Sequence, residues 1–325
     1  MRIATAMKVF VTGATGFVGC EIVRQLGEAG HSVRILARQP YSPQVQEAVS
    51  RWGAGVHPGD VVQPASLQGA PAGMDAVVHL VGIVAEVGGS TFKRIHADGT
   101  RNIIAAAQQA GVRRFVHMSA LGTRPNAASR YHQSKWAAEE MVRRSGLEFT
   151  IFRPSLIYGP GDQFINLFAK VARWSPVVPL LGSPDARFQP VAVEAVSAAF
   201  VRSLDEARSV SRTYDLCGPE TLTLAEIVDQ MLTVLGRRRW KLHVPLGLAH
   251  CQAASIEFLF RRLLRRAPPL SRDQLIMLQE DNVGDARPAN ELFGIEHIWL
   301  RPGIARYLDA EAAPRAASKG LRGAA

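Results

Sequence analysis

Tyr131 and Lys135 stand four residues apart in the stretch Tyr131-His132-Gln133-Ser134-Lys135. On a helix that spacing puts both side chains on one face. A lysine ammonium beside a phenol lowers the phenol's pKa from about 10, which makes the tyrosine a usable acid or base. The same ammonium can hydrogen-bond a ribose hydroxyl. Ser119 lies 12 residues before Tyr131 at the end of a short apolar run, where its hydroxyl could hold a substrate carbonyl. Ser119, Tyr131 and Lys135 are the candidate catalytic residues, with Tyr131 as the proton donor.

A second pattern stands near the start of the chain, Thr12-Gly13-Ala14-Thr15-Gly16-Phe17-Val18-Gly19. It follows the apolar run Val9-Phe10-Val11 and precedes a helix expected from Phe17 to Ala29. Gly13 permits a tight turn off the strand, Gly16 lets the backbone approach a pyrophosphate, and Gly19 lets the helix lie close on the strand. Free amides and the positive helix end would then face phosphates. This is the order that nicotinamide dinucleotide binding needs. An acid about 20 residues on would bind the ribose 2′-hydroxyl of NAD. None occurs between Glu28 and Glu47. The next strand instead ends Arg34-Ile35-Leu36-Ala37-Arg38, and a guanidinium is the natural partner of a 2′-phosphate. NADP(H) is therefore favoured over NAD(H), with Arg38 as the phosphate ligand and Arg34 in reserve.

Positioning these residues requires strands that alternate with helices. Apolar runs at Val9–Val11, Val33–Ala37, Gly55–Pro58, Ala76–Leu80, Arg114–Met118 and Phe149–Phe152 read as six strands. Helices are expected at Phe17–Ala29, Val45–Trp52, Ile95–Ala110 and Tyr131–Ser145. The alternation predicts an α/β fold, a Rossmann-type doubly wound parallel sheet covered on both faces. The second half changes to a smaller mixed lobe. Loop-forming Gly159-Pro160-Gly161 and Pro176–Pro184 come first, then helices at Ala195–Leu204 and Leu224–Leu235 and short strands at Tyr214–Cys217 and Lys241–Val244. Thr223 and Glu226 have capping-box spacing. The expected division is an extension over 1–6, a dinucleotide-binding domain over 7–160, a lobe interleaved with the sheet edge over 161–310, and a disordered tail over 311–325.

Composition narrows the class. Hydrophobic residues make up 47% of 325, enough for a real core. Cys20, Cys217 and Cys251 lack metal or disulfide spacing, so a reducing compartment and no metal are expected. No run reaches the ~18 apolar residues of a spanning helix. The stretch before the first strand is too short for a signal peptide, so the expected location is the cytoplasm.

Taken together, these residues resemble the extended and atypical short-chain dehydrogenases/reductases. The resemblance rests on Thr12–Gly19, Asp60, Leu80-Val81-Gly82, Ser119, Tyr131 with Lys135, and Arg153-Pro154-Ser155 followed by Tyr158-Gly159-Pro160. It implies that Gly13, Thr15, Gly16, Phe17, Val18, Gly19, Arg38, Asp60, Val61, Leu80, Val81, Gly82, Tyr131, Lys135 and Pro154 surround the cofactor. Three further stretches, Gly159–Asn166, Val178-Pro179-Leu180 and Arg187-Phe188-Gln189-Pro190-Val191, are similar to one branch. That branch is the short-chain-dehydrogenase-like accessory subunit of respiratory complex I and its bacterial relatives. It implies a bound NADP(H), and respiratory complex subunits as partners. Nucleotide-sugar epimerases and dehydratases share the fold but usually have a longer serine-to-tyrosine gap. One departure is that Glu194 stands where relatives carry an Asp two or three residues beyond the valine.

The formal net charge is +10. Much of it is local, because Arg237 to Arg266 holds eight basic residues against the one acid Glu257. Ile256, Phe258, Leu259, Phe260, Leu263 and Leu264 interleave with Arg261, Arg262, Arg265 and Arg266. Such a segment reads equally as an interfacial helix on an anionic membrane surface or as a packed helix with solvated arginines. The first reading would make the protein peripheral on the inner membrane face. No recognition motif accompanies the charge, so nucleic acid is not expected as a partner.

Two functions follow. One is an oxidoreductase that moves hydride between NADP(H) and a carbonyl or quinone-like substrate. The other is a cofactor-bound structural or assembly protein of a respiratory complex.

Overall fold

The computed structural model describes residues 6–244, 247 and 271–312. The first 118 residues supply five short strands, four of them rich in Val, Ile or Phe. They are β1 (Lys8–Thr12), β2 (Ser32–Ala37), β3 (Gly55–Pro58), β4 (Ala76–His79) and β5 (Arg114–Met118). Val9, Phe10, Val11, Val77 and Val116 are all fully buried, as a sheet covered on both faces demands. β6 (Glu148–Pro154) and β7 (Ile157–Tyr158) follow. Four helices cross between the strands: α1 (Phe17–Glu28), α2 (Pro43–Trp52), α3 (Gly99–Gln109) and α4 (Arg130–Arg143). α1 buries Val18, Ile22, Val23 and Leu26, one apolar stripe at helical spacing.

The second half contributes α5 (Ile165–Trp174), β8 (Val177–Leu180), β9 (Arg187–Phe188), β10 (Val191–Ala192), α6 (Val193–Arg202), β11 (Arg212–Leu216), β12 (Leu222–Thr223), α7 (Leu224–Val234) and β13 (Trp240–His243). Three helices close the described chain: Arg272–Met277, Arg287–Phe293 and Leu300–Ala312. The expected capping box is present. Thr223 Oγ1 accepts the Glu226 amide at 3.3 Å, and Glu226 accepts the Thr223 amide at 2.7 Å.

The main sheet has seven strands in the order β11-β6-β5-β4-β1-β2-β3. Every neighbouring pair is parallel. The sequence placed six of them in this sheet and read β11, as Tyr214–Cys217, in the smaller lobe. The seventh, β11, comes from the second half and adds to β6 with Tyr214 opposite Phe152. α6 also returns to the first half, where its Glu194 carbonyl accepts Gln25 Nε2 at 3.1 Å. One apolar cluster runs from Val9 and Phe152 through Phe200 and Ile227 to Ile304, so the two halves share a core.

The order reverses at β1 and β4, the neighbours from which the chain winds outward to either side. Ligands of such sheets bind outside the carboxyl ends of the strands at that switch point. Thr12 and His79 stand opposite each other there. Among the described residues no helix is long and apolar enough to cross a membrane, and no cluster could hold a metal ion. The interleaved stretch Ile256–Arg266, Cys251, residues 1–5 and residues 313–325 lie outside the described residues. The last helix runs to Ala312, two residues into the expected tail.

Candidate active site at the switch point

The glycine loop is built as a cradle. Gly13 has φ +78°, and a Cβ on it would lie 3.0 Å from the Leu80 carbonyl carbon and the Val81 nitrogen. A Cβ on Gly19 would lie 2.1 Å from the Gly13 oxygen, so only glycine lets α1 pack this close. Thr15 and Gly16 are exposed at the turn. Among the described residues α1 has no side-chain cap and no acid in its first turn, which leaves its positive end to a ligand. These residues suit a dinucleotide pyrophosphate. Phe17 is half-buried beside Gly159, while Val18 points into the core.

The β2 end separates the two arginines. Arg34 donates to the carbonyls of Ala70 and Ala72 at 3.1 and 2.9 Å, so it is committed to the fold. Arg38 is exposed directly after β2 and has no partner among the described residues. Beyond β3, the Asp60 carboxylate accepts the Val62 amide at 3.1 Å. Val61 is 4% exposed, packs against Gly99, and its carbonyl accepts Asn102 Nδ2 at 2.8 Å. Leu80 is buried, Val81 half-buried and Gly82 exposed. Pro154 is buried at the end of β6, where its carbonyl holds the Leu121 amide at 2.9 Å.

α4 presents Tyr131 and Lys135. Its first amides are capped twice. Ser129 Oγ accepts the His132 amide at 3.1 Å, and the Asp273 carboxylate accepts those of Arg130 and Tyr131 at 2.8 and 3.0 Å. Lys135 is 2% exposed, and its Nζ donates to the Met118 carbonyl at 3.0 Å. A Cβ on Gly82 would lie 3.0 Å from that Nζ. Lys135 thus joins the ends of β4 and β5, next to Ser119. Ser119 Oγ meets Thr123 Oγ1 at 3.3 Å, and its amide donates to Phe152.

Burial pulls the Lys135 ammonium down to about 8, against a smaller upward pull from Glu139. That Glu139 is fully buried and paired with Arg143 and Arg153. The expected lowering of the Tyr131 phenol is not what the protein alone displays. Burial first, and the Asp273 charge second, push it up to about 12. The reason is geometric, since the lysine is aimed at a carbonyl and not at the phenol. Tyr131 therefore stands protonated, the state a proton donor needs.

Three histidines beneath the site escaped the sequence reading. His79 Nδ1 meets Thr12 Oγ1 at 2.6 Å and its Nε2 meets Thr100 Oγ1 at 3.0 Å. His96 sits in a wide π-helical turn, Lys93–Asp98, inside the stretch expected as plain helix. Its Nε2 accepts the Ile83 amide at 2.9 Å, so Nδ1 carries the proton toward Ser134 Oγ at 2.7 Å. His117 stacks on His79, with both ring nitrogens unpartnered. Burial lowers His79 to about 3 and His96 to about 2, and drives His117 well down. All three are neutral at ordinary pH. His96 and Phe92 flank the Tyr131 ring edge-on at 5.4 and 5.9 Å. Glu194, the departure from the relatives' Asp, lies in the first turn of α6, and its main-chain carbonyl accepts Gln25 Nε2 at 3.1 Å.

Comparison with known proteins agrees with this geometry. A family model described as NAD(P)H-binding matches residues 13–164. Subunit 9 of the mitochondrial NADH dehydrogenase [ubiquinone] 1 alpha subcomplex of Mus musculus is 32% identical over 307 residues, 90% of this chain and 76% of that protein. A ceramide reductase of Caulobacter vibrioides is 36% identical over 195 residues, 59% of each chain. A 2-alkyl-3-oxoalkanoate reductase of Stenotrophomonas maltophilia is 28% identical over 94% of this chain and all of its own length. Solved structures with the same fold include a UDP-glucose 4-epimerase of Thermotoga maritima, TM-score 0.74 at 17% identity, covering 94% of this chain and 99% of that one. An NADPH-dependent quinone oxidoreductase of Escherichia coli, complexed with NADPH, has TM-score 0.73 at 20% identity, covering 92% and 99%. With a dinucleotide cradle at the switch point and a Tyr131–Lys135 helix facing it, the chain belongs to the NAD(P)H-binding short-chain dehydrogenase/reductase family, as a relative of the NADH dehydrogenase alpha subcomplex subunit 9 and of reductases.

Proposed function

We propose that the protein is an NADP(H)-dependent reductase of a carbonyl carried on an apolar, lipid-like substrate. The observation that carries the reading is the meeting of Lys135 with Gly82 and Met118 at the switch point, one helical turn from Tyr131. The relatives support the substrate class, since their names describe reduction of a ceramide and of a 2-alkyl-3-oxoalkanoate. Ile83, whose amide meets the His96 ring that packs on Tyr131, and its neighbour Val84, 44% exposed, would suit such a chain.

The bound nicotinamide would supply the hydride. The glycine loop would hold its pyrophosphate and Arg38 its 2′-phosphate. Ser119 would orient the carbonyl by donating a hydrogen bond from its hydroxyl to the carbonyl oxygen. Tyr131 would deliver the proton that turns that oxygen into a hydroxyl, and the Lys135 ammonium would hold a ribose hydroxyl while its positive charge stabilises the phenolate left behind. The neutral histidines add no competing charge beneath the site.

A second reading has one specific support. The phenol held near 12 with Lys135 turned to Met118 also suits a cofactor-bound structural subunit, the role a respiratory partner would call for. Titrating NADPH into the protein while following oxidation by long-chain ketones separates the two. Binding with turnover supports the reductase, and binding without turnover supports the structural subunit.

A further inference from the structure

Trp174 and Trp240 are 86% and 82% exposed, and Leu242 is 58% exposed. They are neighbours by construction. α5 ends at Trp174, β8 begins three residues later, and β13 pairs with β8 so that Trp240 lies opposite Val177 and Leu242 opposite Pro179. The Trp240 amide donates to the Pro176 carbonyl at 3.0 Å, and Arg239 Nε donates to the Ala172 carbonyl at 2.7 Å, which laces the strand to the helix end. Strand alternation sends Val178 and Leu180 into the core and leaves Trp240 and Leu242 on the opposite face. Two bare indoles beside an exposed leucine have no role in the fold they decorate.

The same corner is basic. Lys170 is exposed one turn before Trp174, and Arg237 and Arg238 are exposed just before Trp240. None of these three has an ion-pair partner among the described residues, and the nearby Asp229 is taken by Lys241 at 2.6 Å. Indoles with an apolar body and a polar N–H favour the boundary between headgroups and acyl chains. Unpaired cations around them favour an anionic leaflet, at about 1 kcal/mol each near the surface.

We propose that this corner, centred on Trp174, Trp240 and Leu242 and rimmed by Lys170, Arg237 and Arg238, docks on an anionic lipid bilayer. Charge complementarity selects that occupant. The chain's own apolar stretch, Ile256 to Leu264, carries Arg261 and Arg262 and would bring cations against cations. The surface is built from the second half of the chain and shares no residue with the glycine loop. The proposal goes beyond the reductase reading and stands or falls separately from it.

The test uses the full chain with vesicles of phosphatidylglycerol and phosphatidylcholine, and of phosphatidylcholine alone, at low and high salt. Sedimentation with the acidic vesicles, a blue shift of tryptophan emission and release by salt are expected. The double variant Trp174→Ser/Trp240→Ser should partition at least about tenfold more weakly. A second variant, Lys170→Gln/Arg237→Gln/Arg238→Gln, should lose the acidic preference, and both should bind NADPH as the wild type does. Wild-type protein that stays in the supernatant overturns the proposal. So does sedimentation of both variants at the wild-type level, which would move lipid binding elsewhere, to Arg261–Arg266 for example. A wild-type dimer that the tryptophan variant breaks, or single-stranded nucleic acid that displaces the vesicles and binds more tightly, would assign the corner to those partners instead.

Discussion

Asp273 accepts a hydrogen bond from the main-chain amide of Tyr131 at 3.0 Å, across 142 residues of sequence. Its other oxygen takes the Arg130 amide at 2.8 Å. A carboxylate on the first amides of a helix satisfies orphan donors and complements the helix dipole. Here the helix is the one that carries the proton donor, and the same charge helps raise the phenol. Asp273 is therefore a positioning residue for Tyr131.

Asp273→Asn removes the charge and one of the two accepting oxygens. The fold should lose about 1–2 kcal/mol, as for a lost cap. The Tyr131 phenol should ionise at lower pH than in the wild type. Ultraviolet difference titration of each protein against its Tyr131→Phe counterpart isolates that one phenol. An unmoved ionisation would limit Asp273 to a structural cap.

Arg38→Ala should weaken NADPH far more than NADH. A charge-assisted hydrogen bond contributes about 1.5–3 kcal/mol, which is roughly a 10- to 150-fold loss for the phosphate-bearing nucleotide. Arg34→Ala should instead lower stability, because Arg34 ties β2 to the carbonyls of Ala70 and Ala72. Equal losses of both nucleotides in the Arg38 variant would remove the 2′-phosphate assignment.

The buried histidines predict acid lability. His79, His96 and His117 have folded pKa values below the ordinary 6.5. Below pH 6.5 the unfolded chain binds protons that the folded chain refuses, so stability falls as pH falls. Each such histidine contributes about 1.4 kcal/mol per pH unit once the unfolded form is protonated. His117→Phe breaks no hydrogen bond, since both ring nitrogens are unpartnered. It should reduce the slope of unfolding free energy between about pH 6 and pH 4 by close to one proton. Urea melts across that range read the slope, and an unchanged slope would mean that His117 protonates within the fold.

Lys135 acts with the same sign in a higher pH window. Its pKa is lowered to about 8 from an ordinary value near 10.5. Between those values the unfolded state holds the extra proton, so the contribution of Lys135 to stability rises with pH from about 8 to 10.5 and is flat below. Lys135→Met should erase that rise. Affinity for the nucleotide ribose should fall in the wild type as pH climbs through about 8 and the ammonium is lost. Nucleotide titrations from pH 6.5 to 9.5 check this, and a pH-independent affinity would take Lys135 out of ribose binding.

Much of this arrangement was legible because it is local. The glycine loop, the Arg38 strand end, the Tyr131–Lys135 spacing and the Thr223 capping box each lie within a few residues. Backbone geometry and side-chain periodicity act over that range. What escaped was set by distance in sequence. β11 reaches its place beside β6 only when the second half folds back. Asp273 meets Tyr131 from a helix whose start is capped by Ser271 with Gln274, a helix not read from the sequence. His79 and His117 sit in apolar strand runs and His96 near the start of an expected helix, and the π-helical turn that aims His96 leaves no periodic trace. The tuning of Tyr131 was misjudged for the same reason, because spacing put Lys135 on its face but could not say that Met118 would claim the ammonium.

Hydride transfer from NADPH deuterated at C4 of the nicotinamide tests the central claim most directly. The purified protein would be offered a long-chain 3-oxo ester, a long-chain sphingoid ketone and a quinone. The account predicts deuterium on the carbinol carbon of a lipid ketone product. It also predicts that Tyr131→Phe slows this turnover by about 10²-fold or more while NADPH binds almost unchanged. Tight NADPH binding with no label transferred to any of the three, or a Tyr131→Phe protein that turns over as fast as the wild type, would contradict it.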